Sequence, residues 1–336
     1  MQASSLRTVL ITGASTGIGA TYADRFARRG HDLVLVARDQ ARLDSLAARL
    51  RAECDVAADV LAVDLTVADD LRRVETRLRE DATIGILVNN AGAATSGGFI
   101  NPDLDALQRL IALNITSVTR LTGAVVPRFL AEGGGAIINL ASVLAVVPEM
   151  VPGIYPATKA FDLAFSQSLQ FELGPRGIYV QAVLPGATRT EIWERSGMNP
   201  DAIPGMMDAG ELVDAALVGF DRREAITIPP LPDEEQWTRF AAARQAMARD
   251  CRQARAAARY LGCLVTQQGT RRTGLARGAQ LAQAGRDTVQ QVPPGPAMWW
   301  NRRPPVACLG ASSLPGRGEA KNRCILCLLS FEIIVR

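Results

Sequence analysis

A tyrosine and a lysine lie one helical turn apart in the sequence, at Tyr155 and Lys159. Residues four apart on a helix face the same side. A phenol with a pKa of about 10 is a poor acid–base catalyst at neutral pH, whereas a nearby ammonium favours the phenolate and lowers that pKa. Lys159 is the only lysine in the first 320 residues. The pair predicts proton transfer at Tyr155, although two side chains on an exposed helix would share this spacing.

A glycine-rich turn lies near the N-terminus, where residues 12–19 read TGASTGIG between an apolar run and an amphipathic stretch. Gly13 permits a tight turn, Gly17 lets the backbone approach a pyrophosphate, and Gly19 allows close packing of helix on strand. The free N–H groups and the dipole of the following helix attract anions. The turn therefore predicts a dinucleotide site, with an ordinary glycine-rich turn as the alternative.

Short apolar runs alternate with helical patterns along the chain. The predicted strands are Thr8–Ile11, Leu33–Val36, Val60–Val63, Ile84–Val88, Ala136–Leu140, Ile178–Val183 and Ala225–Ile228. The predicted helices cover 17–30, 41–52, 67–80, 103–132, 157–173 and 211–222. Unbroken apolar strands are typical of a parallel sheet that is covered on both faces. The alternation predicts an α/β fold: a Rossmann-type doubly wound parallel sheet of about seven strands.

The C-terminal part of the chain differs in composition from the rest. Residues 1–260 carry a net charge of −4, whereas residues 261–336 carry +7 and are rich in Gly, Gln, Arg and Pro. We predict a Rossmann-fold catalytic domain over 1–232, a C-terminal helical extension over 233–260 and a disordered or atypical tail over 261–336.

Several classes of function are disfavoured by composition. A net charge of +3 gives no indication of nucleic-acid binding, and a single histidine, His31, excludes a multi-histidine metal site, so we expect no metal. We find no signal peptide and no unbroken apolar run of about 20 residues. We therefore expect a cytoplasmic protein without a membrane partner.

Together the motifs resemble the short-chain dehydrogenase/reductase family, in its compact one-domain branch. The match runs from residue 7 to about 230 in the family's order and spacing. It consists of TGASTGIG at 12–19, Asp64, NNAG at 89–92, Asn114, Ser142, YPATK at 155–159, and Pro185-Gly186 through Thr190. The resemblance implies a nicotinamide cofactor, interconversion of an alcohol and a carbonyl group, and a homodimer or homotetramer. A non-catalytic cofactor-binding sensor is the alternative, but such proteins often lose the tyrosine or the lysine, and this chain keeps both.

The resemblance also implies individual roles. The catalytic residues would be Asn114, Ser142, Tyr155 and Lys159: Ser142 would bind the substrate oxygen as charge develops there, and Asn114 would anchor a water beside Lys159. Asp64 would contact the adenine ring or instead cap a helix. The implied cofactor-binding residues are Gly13, Ser15, Thr16, Gly17, Ile18, Gly19, Arg38, Asp64, Leu65, Asn90, Ala91, Gly92, Tyr155, Lys159, Pro185, Gly186, Thr188 and Thr190.

The end of the second strand indicates which nicotinamide cofactor is used. NAD enzymes commonly place an acid there to bind the ribose 2′-hydroxyl, but this chain has Ala37 followed by Arg38. A guanidinium matches a 2′-phosphate in charge and geometry, and Ser15 and Thr16 could add hydroxyl contacts. We therefore predict NADP(H), although Asp39 could pair with Arg38 instead.

The substrate pocket is expected to be built from residues 93–100, 143–153 and 187–210. Its side chains are mostly apolar, as in Leu144, Val146, Val147, Met150, Val151 and Ile154. This composition favours an apolar carbonyl substrate. Trp193, Met198, Met206 and Met207 either line the pocket or serve ordinary packing.

Overall fold

A computed structural model describes residues 7–94, 98–196, 199 and 203–261 of the chain. One compact unit extends to Ala254, and a second begins at Arg255. The predicted tail from residue 262 onward and Met198 of the predicted pocket lie outside the described residues.

Seven parallel strands form one sheet in the order β3-β2-β1-β4-β5-β6-β7. The strands are β1 Thr8–Thr12, β2 Leu33–Ala37, β3 Ala58–Ala62, β4 Ile84–Asn89, β5 Gly135–Leu140, β6 Ile178–Val183 and β7 Ile226–Thr227. The strand order reverses between β1 and β4, and ligands of such sheets bind in the crevice at that switch point. The predicted doubly wound α/β fold is confirmed.

Helices cover both faces of this sheet. The helices of the described residues are α1 Gly17–Arg28, α2 Gln40–Cys54, α3 Ala68–Glu80, α4 Leu104–Ile111, α5 Ser117–Ala131, α6 Tyr155–Leu173, α7 Ile192–Arg195, α8 Ala209–Asp221, α9 Glu234–Asp250 and, in the second unit, α10 Ala258–Leu261. The helices α1, α2 and α8 pack on one face around Phe26, while α3, α5 and α6 pack on the other around Phe129. Fully burying one such side chain contributes about 1.5–3 kcal/mol, so the two layers hold the strand ends in place.

The helix predicted over 103–132 is interrupted. A π-helical segment, Ala112–Thr116, separates α4 from α5 and contains the buried Asn114. Single π turns within helices are frequent at functional sites. Leu104–Ala131 as a whole is long and apolar enough to cross a membrane, a criterion that core helices also meet. Here its Leu121, Val125 and Phe129 pack in the core.

The predicted helical extension over 233–260 contains α9 and, after residues 251–257, α10. On α9, Trp237 packs against a cluster that includes Ala141, Leu163 and Val146. This contact anchors α9 on the compact unit that carries the sheet, beside the end of β5. In the second unit, α10 stacks the Arg259 guanidinium over the ring of Tyr260.

Asp24 on α1 is the centre of an arginine network. Its carboxylate accepts hydrogen bonds from Arg25, Arg28 and Arg49 at 2.8, 2.9 and 3.0 Å. Burial raises the pKa of Asp24, but the three guanidinium groups outweigh burial and lower it to about 2. Because this value is below that of an unfolded Asp, about 3.9, Asp24 stabilises the fold above about pH 4, and the contribution is lost as the pH falls through about 2.

We therefore expect the free energy of unfolding, measured by urea titration, to fall between about pH 4 and pH 2. The Asp24→Asn variant should be less stable at neutral pH and should show a shallower decline in this range. An identical pH dependence in the two proteins would contradict the assignment.

Candidate active site

The glycine-rich turn forms a close-packed cradle between β1 and α1. Gly13 has a φ of +66°, and a Cβ there would lie 2.8 Å from Asn90 Nδ2. A Cβ on Gly19 would overlap the carbonyl oxygen of Gly13. Ser15 and Thr16 are half-buried in the turn, and the Thr16 side chain does not cap α1. The two glycines therefore let the turn pack closely against Asn90, and the first N–H groups of α1, which the Thr16 side chain does not cap, fit a pyrophosphate.

Thr12 and Asn90 tie this cradle to the end of β4. Thr12 Oγ1 donates to Val88 O at 3.2 Å and accepts from the N–H groups of Asn90 and Ala91, both at 3.0 Å. Asn90 Nδ2 donates to the carbonyl oxygens of Thr12 and Gly13 at 2.8 and 3.2 Å. Both side-chain N–H groups of Asn90 therefore bind carbonyl oxygens of the glycine-rich turn and stabilise it. Thr12 was not among the predicted residues, although it begins the glycine motif.

Arg38 extends into solvent at the end of β2. Its side chain is 70% exposed, and Nη1 lies 3.8 Å from Asp64 Oδ2. Asp39 does not pair with Arg38: it caps α2 by accepting from Arg42 N at 3.1 Å, and it forms an ion pair with Arg42 at 3.3 Å. An exposed guanidinium with one distant partner can bind a phosphate without breaking a strong ion pair.

Three predicted cofactor residues have side chains that serve other contacts. Asp64 Oδ1 accepts from the backbone N–H and the hydroxyl of Thr66 at 2.9 and 2.7 Å. Leu65 is buried in the core layer around Phe129, and Ile18 is half-buried against the opposite layer around Phe26. A cofactor could therefore contact Leu65 only through its main chain.

Asn114 lies at the centre of the π-helical segment. Its Nδ2 donates to Ala93 O and Thr158 Oγ1, and its Oδ1 accepts from Ala93 N, all at 3.0 Å. A Cβ on Gly92 would lie 3.5 Å from Asn114 Oδ1 and 3.7 Å from Lys159 Nζ, so these three residues are neighbours. Because both side-chain donors are used, a water beside Lys159 would be anchored as a donor to the remaining lone pair of Asn114 Oδ1 or by the main chain of Asn114.

Ser142, Tyr155 and Lys159 lie where β5 and β6 end. Ser142 is 7% exposed; its Oγ accepts from Leu144 N at 3.2 Å and donates to Pro185 O at 3.4 Å. Tyr155 begins α6, which packs against the 3-10 turn that Ser142 caps. Within the described residues, the Tyr155 hydroxyl makes no hydrogen bond. Lys159 Nζ lies 6.0 Å from the centre of the Tyr155 ring.

Asp162 is a further charged group at this site, and the sequence analysis did not identify it. Its Oδ2 accepts a hydrogen bond from Lys159 Nζ at 3.0 Å. Burial raises the pKa of Tyr155; Lys159 acts in the expected direction and lowers it, while Asp162 raises it. The net pKa lies above the ordinary value, which differs from the expectation based on Tyr155 and Lys159 alone. The signal available in the sequence was an acid three residues after the lysine on one helix.

The segment after β6 lies against the glycine-rich turn. Thr188 Oγ1 donates to Gly186 O at 3.1 Å, and the Thr188 carbonyl accepts from Trp193 Nε1 at 2.6 Å. A Cβ on Gly17 would lie 2.9 Å from Thr190 Cγ2. The described part of this segment therefore brings Thr188 and Thr190 to the cofactor crevice.

A cleft of about 630 Å³ lies elsewhere, between β3 and α3. It is lined by charges of both signs, including Asp69, Arg72 and Arg77. It contains none of the predicted catalytic or cofactor-binding residues, so the crevice at the strand ends is the better candidate for the active site.

Comparison with known proteins agrees with this geometry. The family described as short chain dehydrogenase matches residues 7–200. A short-chain dehydrogenase from Sphingobium yanoikuyae in complex with NADPH is 62% identical, with a TM-score of 0.75 over 76% of this chain and 100% of that one. The bulky-bulky ketone specific alcohol dehydrogenase from Comamonas testosteroni is 56% identical, with a TM-score of 0.72 over 77% of this chain and 100% of that one.

Curated relatives are more distant. The very-long-chain 3-oxoacyl-CoA reductase of Macaca fascicularis is 37% identical over 187 residues, which is 54% of this chain and 60% of the relative. The chain thus spans about three-fifths of the length of these relatives. The family match and the neighbouring structures confirm the predicted family. The chain belongs to the short chain dehydrogenase family of oxidoreductases, which interconvert alcohols and carbonyl compounds.

Proposed function

We propose that the chain is an NADP(H)-dependent oxidoreductase that interconverts a bulky apolar ketone and its alcohol. The observation that carries this proposal is that the Tyr155 hydroxyl, which has no hydrogen-bond partner within the described residues, lies near the buried Lys159 beside the glycine-rich cradle. When bound, NADPH supplies the hydride. Tyr155 is the group that supplies the proton.

The protonation states at the site support ketone reduction. Burial raises the pKa of Tyr155, so the phenol carries a proton at neutral pH. Although burial lowers the pKa of Lys159, Asp162 and Tyr155 outweigh it and raise that pKa, so Lys159 remains an ammonium. A fixed positive charge stabilises the phenolate that Tyr155 becomes when it gives its proton to the substrate oxygen.

Ser142 is suited to bind the same substrate oxygen. Its hydroxyl donates to Pro185 O at 3.4 Å, which is long for an O–H···O bond. Turning this hydroxyl toward a substrate oxygen therefore costs little hydrogen-bond energy. A donor aimed at the developing charge typically contributes about 2.7–4 kcal/mol to lowering the barrier.

Choice of NADP(H) rests on Arg38. Ala37 stands where an NAD enzyme commonly has an acid, the exposed Arg38 guanidinium follows it, and Asp39 is engaged in capping α2. The Sphingobium yanoikuyae relative was solved in complex with NADPH, which supports the same choice here.

Apolar side chains around the site support a bulky apolar substrate. Phe99, Ile100 and Met150 are 63, 92 and 69% exposed. A Cβ on Gly98 would lie 3.6 Å from Pro152 Cβ, so the loops that carry these side chains meet. Large apolar groups exposed together mark a binding surface. The name of the Comamonas testosteroni relative specifies bulky-bulky ketones, and the curated relatives are named for 3-oxoacyl-CoA, which also carries a ketone.

A panel of carbonyl compounds, followed by loss of NADPH absorbance, tests this function. The panel should extend from small aliphatic ketones through aryl alkyl and diaryl ketones to a 3-oxoacyl thioester. We expect kcat/KM to increase with apolar bulk on both sides of the carbonyl group. Highest activity on small polar carbonyls would reject the substrate class. Tight NADPH binding without turnover of any compound would favour the non-catalytic sensor.

Assembly and location also belong to the proposal. Phe171 on α6 is 88% exposed, so this helix presents an apolar side chain that a second protomer could cover. We propose a homodimer or homotetramer, which analytical ultracentrifugation can test. A cytoplasmic location remains a prediction.

A further inference from the structure

The ion pair between Lys159 and Asp162 is almost completely buried. Nζ lies 3.0 Å from Oδ2, and the two side chains are only 7 and 2% exposed. Nζ also donates to Leu140 O at 2.6 Å. The other carboxylate oxygen, Oδ1, is buried without a hydrogen-bond partner. Burying a partly satisfied carboxylate is unfavourable, and a buried ion pair is weak evidence for stability. Its presence beside Tyr155 therefore calls for a functional explanation.

Few groups around this ion pair could shift the pKa of either of its members. From β5 comes the carbonyl oxygen of Leu140, and the π-helical segment contributes Asn114, whose amide is uncharged. Gly92 approaches from the loop after β4 and has no side chain. Among the described residues, Asp162 and Tyr155 are the titratable groups that influence Lys159. The three side chains form one electrostatic unit.

We propose that Asp162 is a positioning residue of the active site: its carboxylate holds the Lys159 ammonium against β5 and offsets part of the charge that Lys159 presents to Tyr155. Tyr155 is thereby kept as a neutral phenol until the substrate arrives. This inference deepens the proposed function, and only its kinetic consequence depends on that function.

The directions of the shifts follow from the geometry. An ammonium at short range lowers the pKa of a phenol, and a carboxylate near the same ammonium counteracts this. Burial and Asp162 raise the pKa of Tyr155, while Lys159 lowers it. Removing the carboxylate charge removes the group that counteracts Lys159 at Tyr155, while the Tyr155 phenolate itself still raises the pKa of Lys159 and favours the ammonium beside it. The pKa of Tyr155 should therefore fall.

The test is an ultraviolet titration of tyrosinate absorbance in the full chain without cofactor or substrate. The chain has four tyrosines, so the Tyr155 signal is isolated by subtracting the curve of Tyr155→Phe from that of the wild type. The same subtraction is made in the Asp162→Asn background. We expect Tyr155 to titrate above about 10 in the wild type, and about one unit or more lower in Asp162→Asn. An unchanged or higher value in Asp162→Asn overturns the proposal.

Asp24→Asn is the matched control, because Asp24 is another largely buried carboxylate with cationic partners and lies in the arginine network of α1. It should lower the Tm without moving the Tyr155 titration. An equal shift in the control would attribute the effect to general destabilisation and overturn the proposal.

If Asp162→Asn fails to fold, the titration of wild-type Tyr155 still tests whether the effect of Lys159 on this residue is offset. If Tyr155 titrates below about 10 in the wild type, Lys159 outweighs burial and Asp162 together, which contradicts the proposed offset. A value above this, together with an Asp162→Ser variant that folds and titrates lower, supports the proposal.

The kinetic consequence concerns the alkaline limb of ketone reduction, where Tyr155 loses its proton. In Asp162→Asn this limb should lie about one pH unit or more lower, matching the titration. Absence of turnover in the wild type would reject the proposed function but leave the titration measurable, so the two failures are distinguishable.

Discussion

Tyr155→Phe is expected to lower kcat for ketone reduction by about 10²–10⁴-fold, because general acid catalysis by a positioned side chain contributes about that much. The ring packs unchanged and only the hydroxyl is lost. That hydroxyl makes no hydrogen bond within the described residues, so the fold should lose little stability. The affinity for NADPH, measured by fluorescence titration, should change by less than about fivefold, since about 1 kcal/mol or less is at stake.

Tyr179→Phe provides the matched control for this loss. Tyr179 is a buried tyrosine near the start of β6, away from the strand end that lies beside Ser142, and its hydroxyl donates to Glu224 O at 2.7 Å. This variant should lose stability, by about 0.5–1.5 kcal/mol, while keeping wild-type kcat. If Tyr155→Phe retained activity within tenfold, Tyr155 would not be the proton donor, and Ser142 or water would have to fill that role.

The sheet could be predicted from the sequence because its strands are covered on both faces. Burial on both sides leaves unbroken apolar runs such as Ile178–Val183, and the predicted strands lie within two residues of the observed ones. The helix ends were also close, since Asp103 and Asp208 cap α4 and α8 through local hydrogen bonds. Apolar patterns and helix caps that involve only neighbouring residues can be predicted from the sequence without knowledge of the fold.

The π-helical segment was not predictable for the opposite reason. The apolar pattern of residues 104–131 continues through it without a break. What favours the π turn is the pairing of the Asn114 side chain with Ala93 and Thr158, which are 21 and 44 positions away in the chain. Local propensity carries no information about such distant partners.

The charge state of the site was predictable only in part. The four-residue spacing correctly indicated that Lys159 acts on Tyr155, but not that Lys159 is buried or that the net pKa of Tyr155 is raised. Asp162 is visible in the sequence three positions after Lys159. That its carboxylate turns inward, rather than into solvent, depends on how α6 packs against β5. The sign of the net shift therefore required the structure.

Arg38→Ala should raise the KM for NADPH by about 10–100-fold, because a hydrogen bond to a charged group contributes about 1.5–3 kcal/mol. The KM for NADH should change by less than about twofold, since NADH has no 2′-phosphate for the guanidinium to bind. The measurement is the ratio of kcat/KM values for the two cofactors in the wild type and the variant.

Arg72→Ala is the control, because Arg72 is likewise an exposed arginine paired with one acid, Asp69, but lies on α3 in the separate cleft. It should leave both KM values unchanged. Equal losses for NADPH and NADH in Arg38→Ala would mean that Arg38 contacts the adenosine in general. A wild-type preference for NADH would reject NADP(H) as the cofactor.

Ionic strength gives an independent check on the same contact. The Arg38 side chain is 70% exposed, so its attraction for a phosphate is screened by salt, with a Debye length of about 10 Å at 0.1 M and about 3 Å at 1 M. Raising the salt concentration should therefore weaken NADPH binding more in the wild type than in Arg38→Ala. If the two proteins lost NADPH affinity in parallel, the salt-sensitive contact would lie elsewhere, with the N–H groups of α1 as the remaining anion site.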